Sequence, residues 1–113
     1  MPAILIRLDP ARLANPDLDL RYDIPEYLAQ ASGGLVKSSG FDYEEGTDAM
    51  LICLSTSSVT EGMRFVVAML DGEVVRGNRL AEAAKVGVSE LSPKEATRYM
   101  VVYPSGEAGA LFP

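Results

Sequence analysis

Asp42-Tyr43-Glu44-Glu45-Gly46-Thr47-Asp48 sets four carboxylates within seven residues, the densest run of acids in the chain. Carboxylates so spaced invite a calcium reading, but the EF-hand pattern fails here. Glycine stands at the fifth position, and Cys53 occupies the twelfth, where a bidentate Glu should close the loop. A charged hairpin tip is the structural reading, and an acidic knob for a basic partner is the functional one. Carboxylate pairs also serve glycoside hydrolysis, and sixteen acids offer many pairs, yet the chain has no tryptophan and no aromatic sugar platform beside them.

Ser55-Thr56-Ser57-Ser58 lines up four hydroxyls ahead of a helical pattern. A helix start carries unbonded N–H groups and a positive dipole end, which suit an anion. The stretch has neither the Gly-rich loop nor the Lys of a P-loop. Capping by Ser58, with Glu61 as its capping-box partner, explains the hydroxyls; an anion site at Ser55, Thr56, Ser57 and Ser58 is the alternative. A serine nucleophile here lacks both a GxSxG elbow and a histidine. The chain contains no histidine at all, which removes the commonest general base and the commonest transition-metal ligand. Cys53 is the sole cysteine and lies in the apolar run Ala49–Leu54, where it reads as a small hydrophobe. No disulfide, zinc constellation, metal or cofactor is expected, and catalysis would have to rest on carboxylates, Lys, Arg, Tyr or Ser alone.

These groups hang on a recognisable order of elements. Ala3 to Leu8 alternates as a strand, with Ile4, Ile6 and Leu8 on one face and Leu5 and Arg7 on the other, and Asp9-Pro10 stops it. Leu18 and Leu20 alternate with acids in a short edge strand or extended loop. A helix is predicted over 24–32, with Asp23 as N-cap, Glu26 completing a capping box and Pro25 in the first turn. Ile24, Tyr27, Leu28 and Ala31 make its buried stripe, and Gly33-Gly34 ends it. Leu35 to Glu44 reads as a strand bulged at Gly40, with Phe41 and Tyr43 sharing a face. Residues 49–55 return antiparallel, and a second helix runs from Ser58 to Asp71 with Gly72 as its stop. Its apolar face is Val59, Met63, Val66, Val67 and Leu70, flanked by Phe65 and Met69. Strands follow at 74–76, at 83–89 (with 79–85 readable as helix) and at 97–103. A single domain is expected over 1–103, and 104–113 is a loose Gly/Pro/Ala tail in which Leu111 and Phe112 are the docking candidates.

The order β-α-β-β-α-β predicts an α+β fold, a ferredoxin-like two-layer sandwich. Its antiparallel sheet would have about five strands, with two helices on one face. The other sheet face then requires a cover, whether solvent, a partner subunit or a ligand.

Composition narrows the partners. A chain of 113 residues with 48% hydrophobic and 23% charged residues is globular, and no apolar run approaches a membrane span. The N-terminal apolar stretch is too short for a signal peptide, and the cysteine usage suits the cytoplasm. The formal net charge is −6, and from Asp9 to Asp48 nine acids stand against three bases. From Ala49 onward seven acids oppose six bases, so the field belongs to the first half. Nucleic acid and membrane are excluded as expected partners, whereas a basic protein is allowed.

The size, acidity and α+β layout resemble small bacterial immunity proteins, which neutralise a toxin by binding it; no motif carries the likeness. The leading expectation is a non-enzymatic protein-binding module, an immunity-like inhibitor of a basic partner. It would bind through Asp17, Asp19, Asp23, Glu26, Asp42, Tyr43, Glu44, Glu45 and Asp48. The alternative is a small-ligand-binding or regulatory domain that forms a homodimer through its open sheet face. An enzyme using carboxylates without histidine is third.

Overall fold

Five apolar residues in six make Ala3–Leu8 a strand buried on both faces, β1, and its central place in the sheet organises the molecule. The structure is a computed structural model and describes residues 1–14, 19–72, 74–75, 78–104 and 109–111. After β1 come α1 (Leu20–Ala31), β2 (Val36–Tyr43), β3 (Met50–Thr56) and α2 (Val59–Gly72). A small hairpin of β4 (Val74–Val75) and β5 (Asn78–Arg79) precedes β6 (Ala84–Ser89), β7 (Tyr99–Tyr103) and β8 (Ala110–Leu111). Six strands form one sheet in the order β2-β3-β1-β6-β7-β8, and every pairing in it is antiparallel. The fold is therefore α+β, with one antiparallel six-stranded sheet and two helices.

Period two divides the sheet's side chains between two cores. Ile4, Ile6 and Leu8 of β1 join Met50, Ile52 and Leu54 of β3 in a cluster that also takes Leu20, Ile24 and Leu28 of α1 and Val66, Met69 and Leu70 of α2. Both helices thus cover the same face. On the opposite face Ala3, Leu5 and Leu51 are buried with Ala96, Tyr99 and Leu111. The chain itself covers this part of the second face. Gly87 permits the close packing there: a Cβ on it would lie 2.7 Å from the Tyr99 Cβ.

Helix α1 begins a turn earlier than the cap pattern at Asp23 predicts. Asp19 is the N-cap, and Pro25 lies inside the helix, where it forgoes the bond to the Arg21 carbonyl. The earlier start brings Leu20 into line with Ile24 and Leu28, all fully buried. Burial of Leu20, worth about 2 kcal/mol, offsets the lost bond. The stripe differs accordingly: Tyr27 and Ala31 are exposed, not buried. Gly33, at φ 64°, ends the helix as expected, and the Gly34 N–H donates back to the Ala29 carbonyl at 3.0 Å.

Helix α2 is also rotated from its predicted face, with Gly62, Val66, Met69 and Leu70 innermost. Gly62 belongs there because it sits against the buried Thr56, and a Cβ would meet the Thr56 Oγ1 at 2.6 Å. Leu80–Glu82 is a short 3-10 turn, and the strand starts at Ala84. The expected tail contains β8, because Leu111 packs into the second core and Ala110–Leu111 pairs with β7. Phe112 lies outside the described residues.

Candidate functional site

Strand β2 is one edge of the sheet, and seven of its eight residues are exposed. Its register shifts between Ser38 and Phe41, and Gly40 takes φ 103°, so the bulge expected at this glycine is present. Beyond the bulge, Phe41 and Tyr43 stand opposite Ile52 and Met50, which places them on the helix-bearing face.

There they meet the start of α1. Tyr22 packs edge-on against Phe41 with centroids 5.5 Å apart, and Phe41 against Tyr43 at 6.2 Å. The Arg21 guanidinium lies over the Tyr22 and Phe41 rings at 4.7 and 4.9 Å. It donates to the Tyr43 hydroxyl at 3.1 Å and to the Tyr22 hydroxyl at 3.4 Å. These contacts hold the guanidinium further toward its charged form, the bond to Tyr22 first. Its Nε is buried without a hydrogen-bond partner among the described residues. Tyr22, Phe41 and Tyr43 are nevertheless 52%, 40% and 43% exposed, so the cluster is a surface and not a core.

The cluster joins two acidic stretches that are far apart in sequence. Asp19, Asp23 and Glu26 belong to the start of α1, while Asp42, Glu45 and Asp48 flank Tyr43 on β2 and in the turn after it. Asp17 lies outside the described residues. Asp42 accepts the N–H of Tyr43 at 2.8 Å, and Glu26 accepts from Gln30 at 3.4 Å. Glu44 is tied to the centre of the sheet. Arg7 of β1 donates to both its oxygens, at 2.7 and 3.1 Å, and the Thr47 hydroxyl donates to it at 3.1 Å. Those bonds, the one from Arg7 first, hold its carboxyl below the ordinary value. Glu44, a member of the expected acidic set, is therefore bound into the frame.

Two of the four hydroxyls, those of Thr56 and Ser58, bond the chain's own backbone. Ser58 Oγ accepts the Glu61 N–H at 3.3 Å, which is the expected cap. The Ser58 N–H, which a capping box would give to Glu61, goes to Thr56 Oγ1 at 3.3 Å. The Thr56 hydroxyl in turn donates to the Ser58 carbonyl at 3.0 Å. Ser55 is half-buried and Ser57 is exposed.

At the far end of β1 a cavity of about 430 Å³ is lined by Arg7, Asp9, Arg12, Glu82, Lys85 and Pro104. It has the size of a small-molecule site. Its charges are mixed: Arg12 lies 3.8 Å from Asp9, and Arg7 is held by Glu44. Among the described residues no group of three or more His, Cys, Asp or Glu side chains gathers to hold a metal. None of the described helices is long and apolar enough to cross a membrane.

The sequence pattern nominates Tyr43 but not Arg21, Tyr22 or Phe41. The shared face of Phe41 and Tyr43 was the available signal, and an Arg-Tyr pair one helical turn before a proline carried none. No protein-family model matches the sequence, and neither a curated protein nor a solved structure matches the chain.

Proposed function

We propose that this chain is a non-enzymatic protein-binding module on a ferredoxin-like frame, acting as an immunity-like inhibitor of a basic partner. The frame reading is supported by the strand order β6-β1-β3-β2, in which α1 links β1 to β2 and α2 lies between β3 and β6. The function rests on one observation, the packing of Arg21 and Tyr22 against Phe41 and Tyr43. It turns two separate acidic stretches into one exposed edge with aromatic anchors at its centre. Exposed aromatics supply the area that binding energy needs, and the surrounding acids steer a basic protein and select against acidic ones.

The test is affinity capture with the whole protein, followed by titration of the purified captured partner. The comparison is a variant carrying Asp42→Asn, Glu45→Gln and Asp48→Asn, with Glu44 left intact. A basic partner whose binding weakens about tenfold or more in the variant, and with added salt, is the expected result. Unchanged affinity in the variant contradicts the proposal.

The cavity beside Arg7, Arg12 and Lys85 favours a second reading, a site for a small anionic ligand. A rise in melting temperature with phosphate or dicarboxylates, abolished by Arg12→Ala, would support it. A homodimer through the second sheet face would have to use the area outside Ala96, Tyr99 and Leu111.

A further inference from the structure

We infer that the partner docks as an extended segment added antiparallel to the outer edge of β2 at Phe41–Tyr43, with basic and apolar residues alternating along it. This rests on the protein-binding reading above and names its mode. The hydrogen-bond register supplies the geometry. Glu44 gives its N–H to the Ala49 carbonyl at 2.9 Å. Alternation in an antiparallel ladder then turns the peptide groups of Asp42 toward β3 and those of Phe41 and Tyr43 outward. The Tyr43 N–H agrees, since it bonds the Asp42 carboxylate and not β3.

In the N-terminal half of the strand two N–H groups are already taken by nearby hydroxyls. Val36 gives its N–H to Ser32 Oγ at 3.1 Å, and Gly40 gives its N–H to Ser38 Oγ at 3.4 Å. With the bulge and Lys37, these contacts blunt the N-terminal half of the edge. At Tyr43 the closing group is an exposed carboxylate instead of a hydroxyl. A cationic side chain of the incoming segment can pair with Asp42 and free the Tyr43 N–H for the new ladder. Asp42 is thus a latch that a basic strand releases.

The pattern of the occupant follows from the two faces. Residues opposite Phe41 and Tyr43 share the helix-bearing face with those rings and with Tyr22, which suits apolar side chains. The residues between them fall beside Asp42 on the other face, which suits Lys or Arg. A second copy of this chain fits less well, because each copy brings a net charge of −6.

The test uses the whole protein and a short synthetic peptide alternating Arg with Val, read by fluorescence anisotropy. Two analogues keep every charge: one is N-methylated at the Val nitrogens, which would face Phe41 and Tyr43, and one at the Arg nitrogens, which would point away. The expected result is about tenfold weaker binding for the Val-methylated analogue, with the Arg-methylated one binding like the parent. Asp42→Asn, which keeps an acceptor for the Tyr43 N–H, should weaken the parent as well. Equal binding by all three peptides overturns strand addition and leaves the basic-partner reading standing. No binding by any of them overturns strand addition too, and the capture experiment then decides the broader reading separately.

Discussion

The Arg7 guanidinium and the Glu44 carboxylate form a two-pronged ion pair, 2.7 and 3.1 Å long, that reaches from β1 over β3 to the end of β2. Lys85 stands directly opposite Arg7 on β6, so Glu44 also offsets a like-charge pair across the sheet. The pair ties the open edge to the centre of the sheet and takes one carboxylate out of the surface available to a partner.

Glu44→Gln should therefore cost stability and leave partner binding nearly unchanged. With side-chain exposures of 21% and 31%, the pair is partly screened, and a loss of about 1 kcal/mol is expected in urea unfolding. Its pH dependence has a definite sign. The folded carboxyl lies below its ordinary 4.5, so its contribution is complete above that pH and disappears as pH falls through the lowered value. The variant should lack this part of the acid dependence.

Tyr103 supplies the alkaline counterpart. Its hydroxyl donates to the Asp71 carboxylate of α2 at 2.5 Å, and its ionisation is pushed up to about 12, first by burial and then by that bond. The contribution is complete below the ordinary value of 10.0 and is lost as pH rises through about 12. Ultraviolet titration should show late tyrosine ionisation, to which Tyr99 also contributes because burial raises it, and Tyr103→Phe should diminish that step by one tyrosine. An undiminished late step in the variant would contradict the assignment to Tyr103.

Two glycines of α2 should respond to alanine with opposite signs. Gly72→Ala meets nothing within 4 Å, so helix propensity alone acts and stability rises by up to about 0.5 kcal/mol. Gly62→Ala gains the same propensity but drives a methyl into Thr56, with Oγ1 at 2.6 Å and Cβ at 3.0 Å. Overpacking of about 1–3 kcal/mol then outweighs the gain, and thermal unfolding should report a net loss.

Cys53 is half-buried, and its thiol is pushed above the ordinary range, first by burial and then by the Asp42 charge. It should react with a disulfide reagent more slowly than a free cysteine at the same pH. Asp42→Asn should speed the reaction modestly.

How much of this could be read from the residues follows from how local the cause is. Strand β1, the bulge at Gly40 and the Ser58 cap are decided within a few positions, and all three were legible. The start of α1 was not, because Asp23, Pro25 and Glu26 satisfy a local cap rule that burial of Leu20 on the sheet overrides. That one-turn difference carries the site with it, since it determines where Arg21 and Tyr22 fall. The Arg7–Glu44 pair spans 37 positions, and no local pattern distinguishes Glu44 from Glu45. The acidity of the edge was legible in the sequence; its aromatic centre depended on tertiary contact.

Docking of a basic partner at the edge formed by α1 and β2, as proposed above, can be followed residue by residue through amide chemical-shift mapping of the whole protein titrated with the alternating Arg-Val peptide. Shifts concentrated at residues 19–26 and 38–48 are predicted, with Phe41 and Tyr43 largest and the Asp42→Asn variant attenuated. Shifts centred instead on Arg7, Arg12 and Lys85 would place the binding elsewhere and contradict docking at this edge, and an absence of shifts along β2 would overturn strand addition.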